Sequence, residues 1–469
     1  MRSTCSWAAE EFGEAKLGDK RRTRRLVALA AEVAWAPAGT VTRACSSSAS
    51  REGAFRLLEN PAVRPNAIRR CVQAATVRRC PQSQPVIVAV DGTSLRITDK
   101  GRTKGIGPIG SLHRGAQGVQ VMTAFAVTHD GAPLGIAAQK MWVRSGRSKR
   151  NGNGAPTKGG ENTHWLDVLE ECRQAFESAQ SQSTPWYQLD RGGDCWQVLT
   201  HAEQTGILLT VRAVHDRRID DSADRLVETV NAAPVLAKKW LDVPARPATT
   251  RKRRIGKARF HERIPQRTQR RAKVAIRATA VSLVVSTLKG TTLVPFNAVL
   301  VQEVKRAKVP VEWLLLTTHS IDKPVDVLKV VQGYALRWRV EDFHRAWKRG
   351  LCCVENTQLR SRDAIYRWAT LLASVATRAM RLTHQARATP DEPATSQFSK
   401  LELKALIALR RPDEPDHRIP TLAEAIRWTA ELGGYTGPWN GPPGATTVGR
   451  GLDKVLVVAR ALEYIAQKR

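Results

Sequence analysis

Acid is what this 469-residue sequence lacks most: 43 Asp and Glu face 75 Lys and Arg, giving a formal net charge of +32 and a pI near 10.6. An imbalance of that size goes beyond what solubility needs and implies a polyanionic partner. Also missing is any uninterrupted apolar run of about 18 residues, which excludes a bilayer-spanning helix. The basic stretches have no strong apolar face to lay on a membrane surface. Nucleic acid is the polyanion that remains. The eight cysteines form no C-x-x-C and have no histidines at zinc spacing, so they are expected to be reduced structural thiols of a cytosolic protein. Arg21, Arg22, Arg24 and Arg25 followed by residues 26–31 imitate an export signal, but Glu32 interrupts the apolar run and no cleavage site follows. No repeat at a period of about 20 to 50 residues is visible.

Residues 1–75 read as helical. Gly18 and Asp19 break and cap, and KRRTRRLVALAAEVA follows as a helix with a basic first turn. Cations there oppose the helix dipole. Phosphate bound by Arg21, Arg22 and Arg25 would relieve that conflict, and a solvated basic helix is the equal alternative. Near Pro81 the composition shifts to strands. PVIVAVDGTS is a buried β-branched run that ends at Asp91, VQVMTAFAVT and PLGIAAQKMWV form a hairpin about the Asp130-Gly131 turn, and STPWYQLD delivers Asp190 at a second strand end. An Asp at a strand end also serves as a turn former or helix cap. Between them, residues 145–160 read as a polar loop before a helix. After the strand that closes at Arg212, a long insert is expected to be β-rich with a basic loop. That loop carries Arg251, Lys252, Arg253 and Arg254, a DNA contact or a solvated loop. VEWLLLTT, with Trp313 leading, is a further buried strand. The last 85 or so residues return to helices broken by loops, and the final helix carries Leu452, Val455, Val458, Ala459 and Leu462 at helical spacing, which suits core packing and a dimer seam equally.

Residues 334–348, YALRWRVEDFHRAWK, read as one amphipathic helix. Leu336, Val340, Phe343 and Trp347 form a core-facing stripe. Tyr334, Arg337, Glu341 and Lys348 fall within roughly 60° of arc on the other side. By itself such a polar face is most often only a solvated face. With Asp91 and Asp190 it supplies a third carboxylate, and three carboxylates without Cys or His ligands suit Mg2+ or Mn2+ rather than zinc. Two such ions about 3.5 to 4 Å apart can activate water or a 3′ hydroxyl and stabilise the leaving oxygen of a phosphodiester.

The pattern Y-x2-R-x3-E-x6-K, met by Tyr334, Arg337, Glu341 and Lys348, resembles the signature of the Y-R-E-K group of DDE transposases from bacterial cut-and-paste insertion sequences, the group that includes the transposase of transposon five. The strand before Asp91 with its GTS, Asp190-Arg191, LGDKRRTRRL, REGAFRLLENPAV and LGGY are similar to other parts of that family, so the likeness runs nearly the whole chain. Gly192-Gly193 and Val214 depart from it, which bears on end-sequence contacts more than on catalysis.

The resemblance implies an α/β fold: an RNase H-like catalytic domain (76–385) with a β-rich insertion at about 215–310, between a helical DNA-binding domain (1–75) and a helical dimerisation domain (386–469). It implies binding to double-stranded DNA at terminal inverted repeats, and a homodimer that pairs two ends in a synaptic complex. It also implies nicking to a 3′ hydroxyl, hairpin formation and resolution, and strand transfer into target DNA in the bacterial cytoplasm, at the nucleoid. Asp91, Asp190 and Glu341 would hold two ions per active site. Trp313 would stack on an extruded base, and Tyr334, Arg337, Arg212 and Lys348 would hold phosphates. A catalytically silent DNA-binding regulator and a nuclease without end specificity are the rival expectations.

Overall fold

The computed structural model describes all residues except 1–3, 83, 100, 102–103, 111–114, 145–159, 161, 221–223, 244–247, 256–257, 306, 308, 411–417, 438–441 and 468–469. The polar loop expected over 145–160 lies almost wholly outside the described residues. In chain order the elements are α1 (Thr4–Phe12), α2 (Lys20–Trp35), α3 (Val41–Ala44), α4 (Ser48–Glu59), α5 (Pro65–Arg78), β1 (Val86–Arg96), β2 (Gly107–Pro108), β3 (Gln117–Val127), β4 (Pro133–Trp142), α6 (Thr163–Ser178), β5 (Pro185–Leu189), α7 (Trp196–Thr205) and β6 (Leu208–Arg212). There follow α8 (Leu226–Ala232), β7 (Val235–Val243), β8 (Thr249–Ile255), β9 (Ala258–Ile264), β10 (Arg270–Thr287), β11 (Gly290–Glu303), β12 (Glu312–Thr317), α9 (Pro324–Leu336), α10 (Arg339–Arg345), α11 (Arg362–Ala388), α12 (Lys400–Arg410), α13 (Leu422–Leu432) and α14 (Ala445–Gln467). This is the α/β class expected, with helical N- and C-terminal regions. Among the described residues no helix is long and apolar enough to cross a membrane.

The chain divides into two compact units: Met1–Gly152 with Asp167–Pro185 and Leu336–Arg469, and Asn153–Leu166 with Trp186–Ala335. In the first, Gly18 adopts φ +77°, and Asp19 caps α2 by accepting the Arg21 amide at 2.7 Å. Leu26, Leu29, Ala30 and Val33 bury one side of that helix. The long α11 ties down the N-terminal helices: its buried Arg367 donates to the carbonyls of Leu58 and Val63, and Trp368 Nε1 donates to Gly39 O at 2.8 Å. β1, β3 and β4 form an antiparallel meander with β2 on β3, and Gly131 (φ +86°) makes the expected hairpin turn. β1 departs from expectation in length. It runs past Asp91 to Arg96, because the Asp-Gly that reads as a turn stays paired, Asp91 with Thr123 and Gly92 with Met122. The α14 stripe is core: Leu452, Val455 and Ala459 are buried with residues of α12 and α13, and Val458 and Leu462 pack against the same cluster.

In the second unit β5 and β6 pair in parallel, and β6, β12, β11, β10 and β7 follow as antiparallel neighbours. β10 alternates strictly over its first half, with Ala272, Val274, Ile276 and Ala278 buried on one face. The basic run is not a loop. Arg251, Lys252, Arg253 and Arg254 lie in β8, paired with Glu262, His261, Phe260 and Arg259 of β9 in a separate two-stranded ribbon. The backbone register with β9 runs unbroken from Thr249 to Ile255.

The expected single helix over 334–348 is also corrected. α9 ends at Leu336. A tightened turn follows, in which Glu341 N reaches Trp338 O at 3.0 Å, then α10, then one π-helical turn, Ala346–Gly350. Every residue in the break is compatible with helix, so the irregularity comes from packing. Phe343 stacks on Phe125 (5.0 Å) and on Trp347 (5.7 Å), and Trp347 Nε1 is anchored to Ala369 O at 3.0 Å.

Candidate active site

β1 delivers the first acid. Val86 through Val90 are fully buried, and Asp91 is where the strand first meets solvent, its side chain 18% exposed. One carboxylate oxygen accepts the Gly92 amide at 2.7 Å, and the other lies 3.4 Å from Arg337 Nη1. The same guanidinium donates through Nη2 to Glu341 Oε1 at 2.8 Å. Arg337 thus joins Asp91 and Glu341, residues 250 positions apart in sequence (341 − 91), and offsets the repulsion two nearby carboxylates would suffer. Lys348, on the π turn, approaches the same strand: Nζ is 3.1 Å from Thr93 Oγ1 and 3.6 Å from Glu355 Oε1. Of the stripe expected behind these residues, Val340, Phe343 and Trp347 are buried and Leu336 is half-buried.

Two nearby residues were not legible in the sequence. Glu355 accepts the Arg96 amide at 2.8 Å and sits within 4 Å of both Lys348 and Arg349, so it fixes the lysine against β1. It follows Cys353, which adopts φ +46°, and no spacing rule marks it. His344 is buried beside Thr123 Oγ1 at 3.3 Å; burial, aided by the Lys348 charge, pushes its pKa down to about 3.

Asp190 belongs to the second unit, where it stands at the end of β5 as expected and accepts the Gly192 amide at 2.8 Å, capping the short turn Arg191–Gly193. Four residues on, Asp194 is buried, with Arg217 Nη1 at 2.7 Å and the Val214 and His215 amides on its other oxygen. Its hydrogen bonds are those of a structural carboxylate. In this unit Trp313 packs edge-on to Tyr334 at 5.2 Å, and Tyr334 is only 5% exposed, so its ring serves the packing of this unit. Arg212 Nη2 donates to Glu312 O at 2.6 Å, one residue before Trp313. At the start of α2, Arg21 and Arg25 are exposed, Arg22 donates to Leu17 O at 3.0 Å, and Arg25 lies over Gly53, where any Cβ would strike its guanidinium. The side chains of Arg251, Lys252, Arg253 and Arg254 lie outside the described residues.

Residues 4–63 match the model for the transposase DNA-binding family, and residues 155–377 match the transposase DDE domain. The chain carries two transposase domains. The first contains Arg21, Arg22 and Arg25. The second, an RNase H-like DDE domain, contains Asp190, Arg212, Trp313, Tyr334, Arg337, Glu341 and Lys348, and its matched segment begins after Asp91. Among solved structures the chain is similar to a piggyBac transposase synaptic complex with hairpin DNA, at 9% identity over 89% of this chain and 83% of that one, with a TM-score of 0.41. At that level the likeness says nothing of individual residues.

All the candidate ligands are carboxylates, the donor type that Mg2+ and Mn2+ prefer. Asp91 and Glu341 already face one shared cation, the Arg337 guanidinium, so that pair fits a hard cation. Among the described residues no group of three or more His, Cys, Asp or Glu side chains is gathered closely enough to hold an ion.

Proposed function

We propose that this chain is a cut-and-paste DNA transposase of the Y-R-E-K group, and that Asp91, Asp190 and Glu341 are its metal-binding carboxylates. The observation that carries the reading is Arg337 holding Asp91 and Glu341 together in a chain with a transposase DDE domain. Two divalent ions, when bound by these carboxylates, would supply an activated nucleophile and a stabilised leaving oxygen. Arg337 and Lys348 contribute positive charge for the phosphates beside the scissile bond. Trp313, against Tyr334, offers a ring on which an extruded base can stack, with Arg212 close by for a phosphate. In this reading residues 1–75 recognise terminal inverted repeats, 76–385 cut and join, with the insertion at about 215–310, and 386–469 pair two copies in a synaptic complex. The reaction runs from nicking through hairpin formation and resolution to insertion into target DNA, in a bacterial host at the nucleoid.

The test is isosteric. Asp91→Asn, Asp190→Asn and Glu341→Gln keep shape and remove charge, so terminal-repeat binding without metal should survive, while nicking in magnesium should fall by about two orders of magnitude or more. Near-parental nicking by any one of them would remove that residue from the ligand set. Binding with no nicking by the parent protein would favour the silent DNA-binding regulator.

A further inference from the structure

One face of the β7–β10 pair is unlike the rest of the second unit. Behind it, Ala272, Val274 and Ile276 are buried. In front, Lys238, Trp240 and Asp242 of β7 lie beside Ala275, Lys273 and Arg271 of β10, each directly opposite its partner. Arg277 extends the row two residues beyond Ala275. Trp240 is 53% exposed, the most exposed indole among the described residues, and the Arg271 guanidinium lies 5.8 Å from its ring centre. Four cations stand against one carboxylate, Asp242, which is 3.7 Å from Arg271. β10 repeats its side chains on this face about every 6.6 Å, so Arg271 and Lys273 are neighbours along a line.

An exposed tryptophan on a sheet costs solvation unless something covers it, and the cations around it specify an anion. Duplex DNA is read by elements narrow enough to enter a groove. A sheet face with a flat ring at its centre suits unpaired bases, which stack on aromatic side chains while nearby cations track the backbone. We propose that the β7–β10 face binds single-stranded DNA without sequence preference, one base stacking on Trp240 and the flanking phosphates lying on Lys238, Arg271, Lys273 and Arg277. This goes beyond the cleavage reading, because none of the carboxylates assigned to cutting lies on this face.

The experiment uses the whole protein without metal, an oligothymidylate of about twelve nucleotides carrying 5-iodouracil, and a blunt duplex of equal length. Irradiation of the single-strand complex, followed by peptide mass spectrometry, should place an adduct on Trp240. By fluorescence anisotropy, Trp240→Ala should weaken the single strand about tenfold, Trp240→Phe should restore most of that loss, and duplex affinity should change less than about twofold. Adducts only at other residues, or an equal loss of duplex and single strand, would overturn the proposal. A thermal melt shows whether Trp240→Ala folds. If it does not, the adduct map and the Phe variant decide.

Discussion

At the scale of single residues, the first unit is built around cations that hold carboxylates in place. Arg337 binds two of them, and Lys348 is held between Thr93 and Glu355. His344 shows what this arrangement costs. It is buried next to Lys348 and stays neutral in the folded chain, with a pKa pushed down to about 3 from 6.5. The unfolded chain takes up a proton near 6.5, so between about 6.5 and 3 it binds more protons than the folded one. The stability that depends on neutral His344 is complete above about 6.5 and is lost as pH falls toward 3. Denaturant titration should show about 2 kcal/mol less stability at pH 5 than at pH 7 from this residue. His344→Gln should remove that part of the drop, and an identical drop in parent and variant would assign it elsewhere.

At the scale of elements, the β8–β9 ribbon carries its own prediction. If Arg251, Lys252, Arg253 and Arg254 meet phosphates, replacing all four with Ala should flatten the slope of log affinity against log salt by up to about 0.9 for each lost contact. An unchanged slope would leave the ribbon a solvated one. This ribbon also marks how far the sequence could be read. Alternation and β-branching located β3, β4, β5, β6 and β12, and Gly18-Asp19 located the start of α2, because those signals are local. The cations of β8 argue locally for a loop, and the pairing that overrides them comes from β9. Asp91-Gly92 likewise argues locally for a strand end, and the continuation of β1 rests on β3. Asp91 and Glu341 were legible as acids. The guanidinium that joins them is a tertiary contact, and Glu355 has no local mark at all.

At the scale of the whole molecule, pairing of two copies is the expectation to test, and the structure redirects the test. Removing residues after about 433 would strip Val448, Leu452, Val455 and Ala459 from a buried cluster, so loss of paired complexes would report unfolding. The same helix presents Val457, Tyr464 and Ile465 to solvent, at 62%, 59% and 52% exposure. These are the apolar positions left for a second copy. Val457→Glu with Ile465→Glu should preserve binding of one terminal repeat and reduce paired-end complexes on a native gel about tenfold or more, as like charges would face each other across a symmetric seam. Unchanged pairing would place the seam outside α14.

The π turn at Ala346–Gly350 bears on how this chain can change over time. Such a turn holds one residue more than an α-helix would in the same span, and its bond from Leu351 N to Ala346 O closes over that extra residue. Losing a single codon just before Lys348 would let the helix regularise, and each residue of register turns a side chain by about 100°. The codon before Lys348 is that of Trp347, so the same loss would remove the indole bonded to Ala369 O and turn the lysine away from Thr93 and Glu355. Substitutions here are absorbed one side chain at a time, but an in-frame deletion would shift Lys348 out of register with Arg337 and Glu341, which precede it.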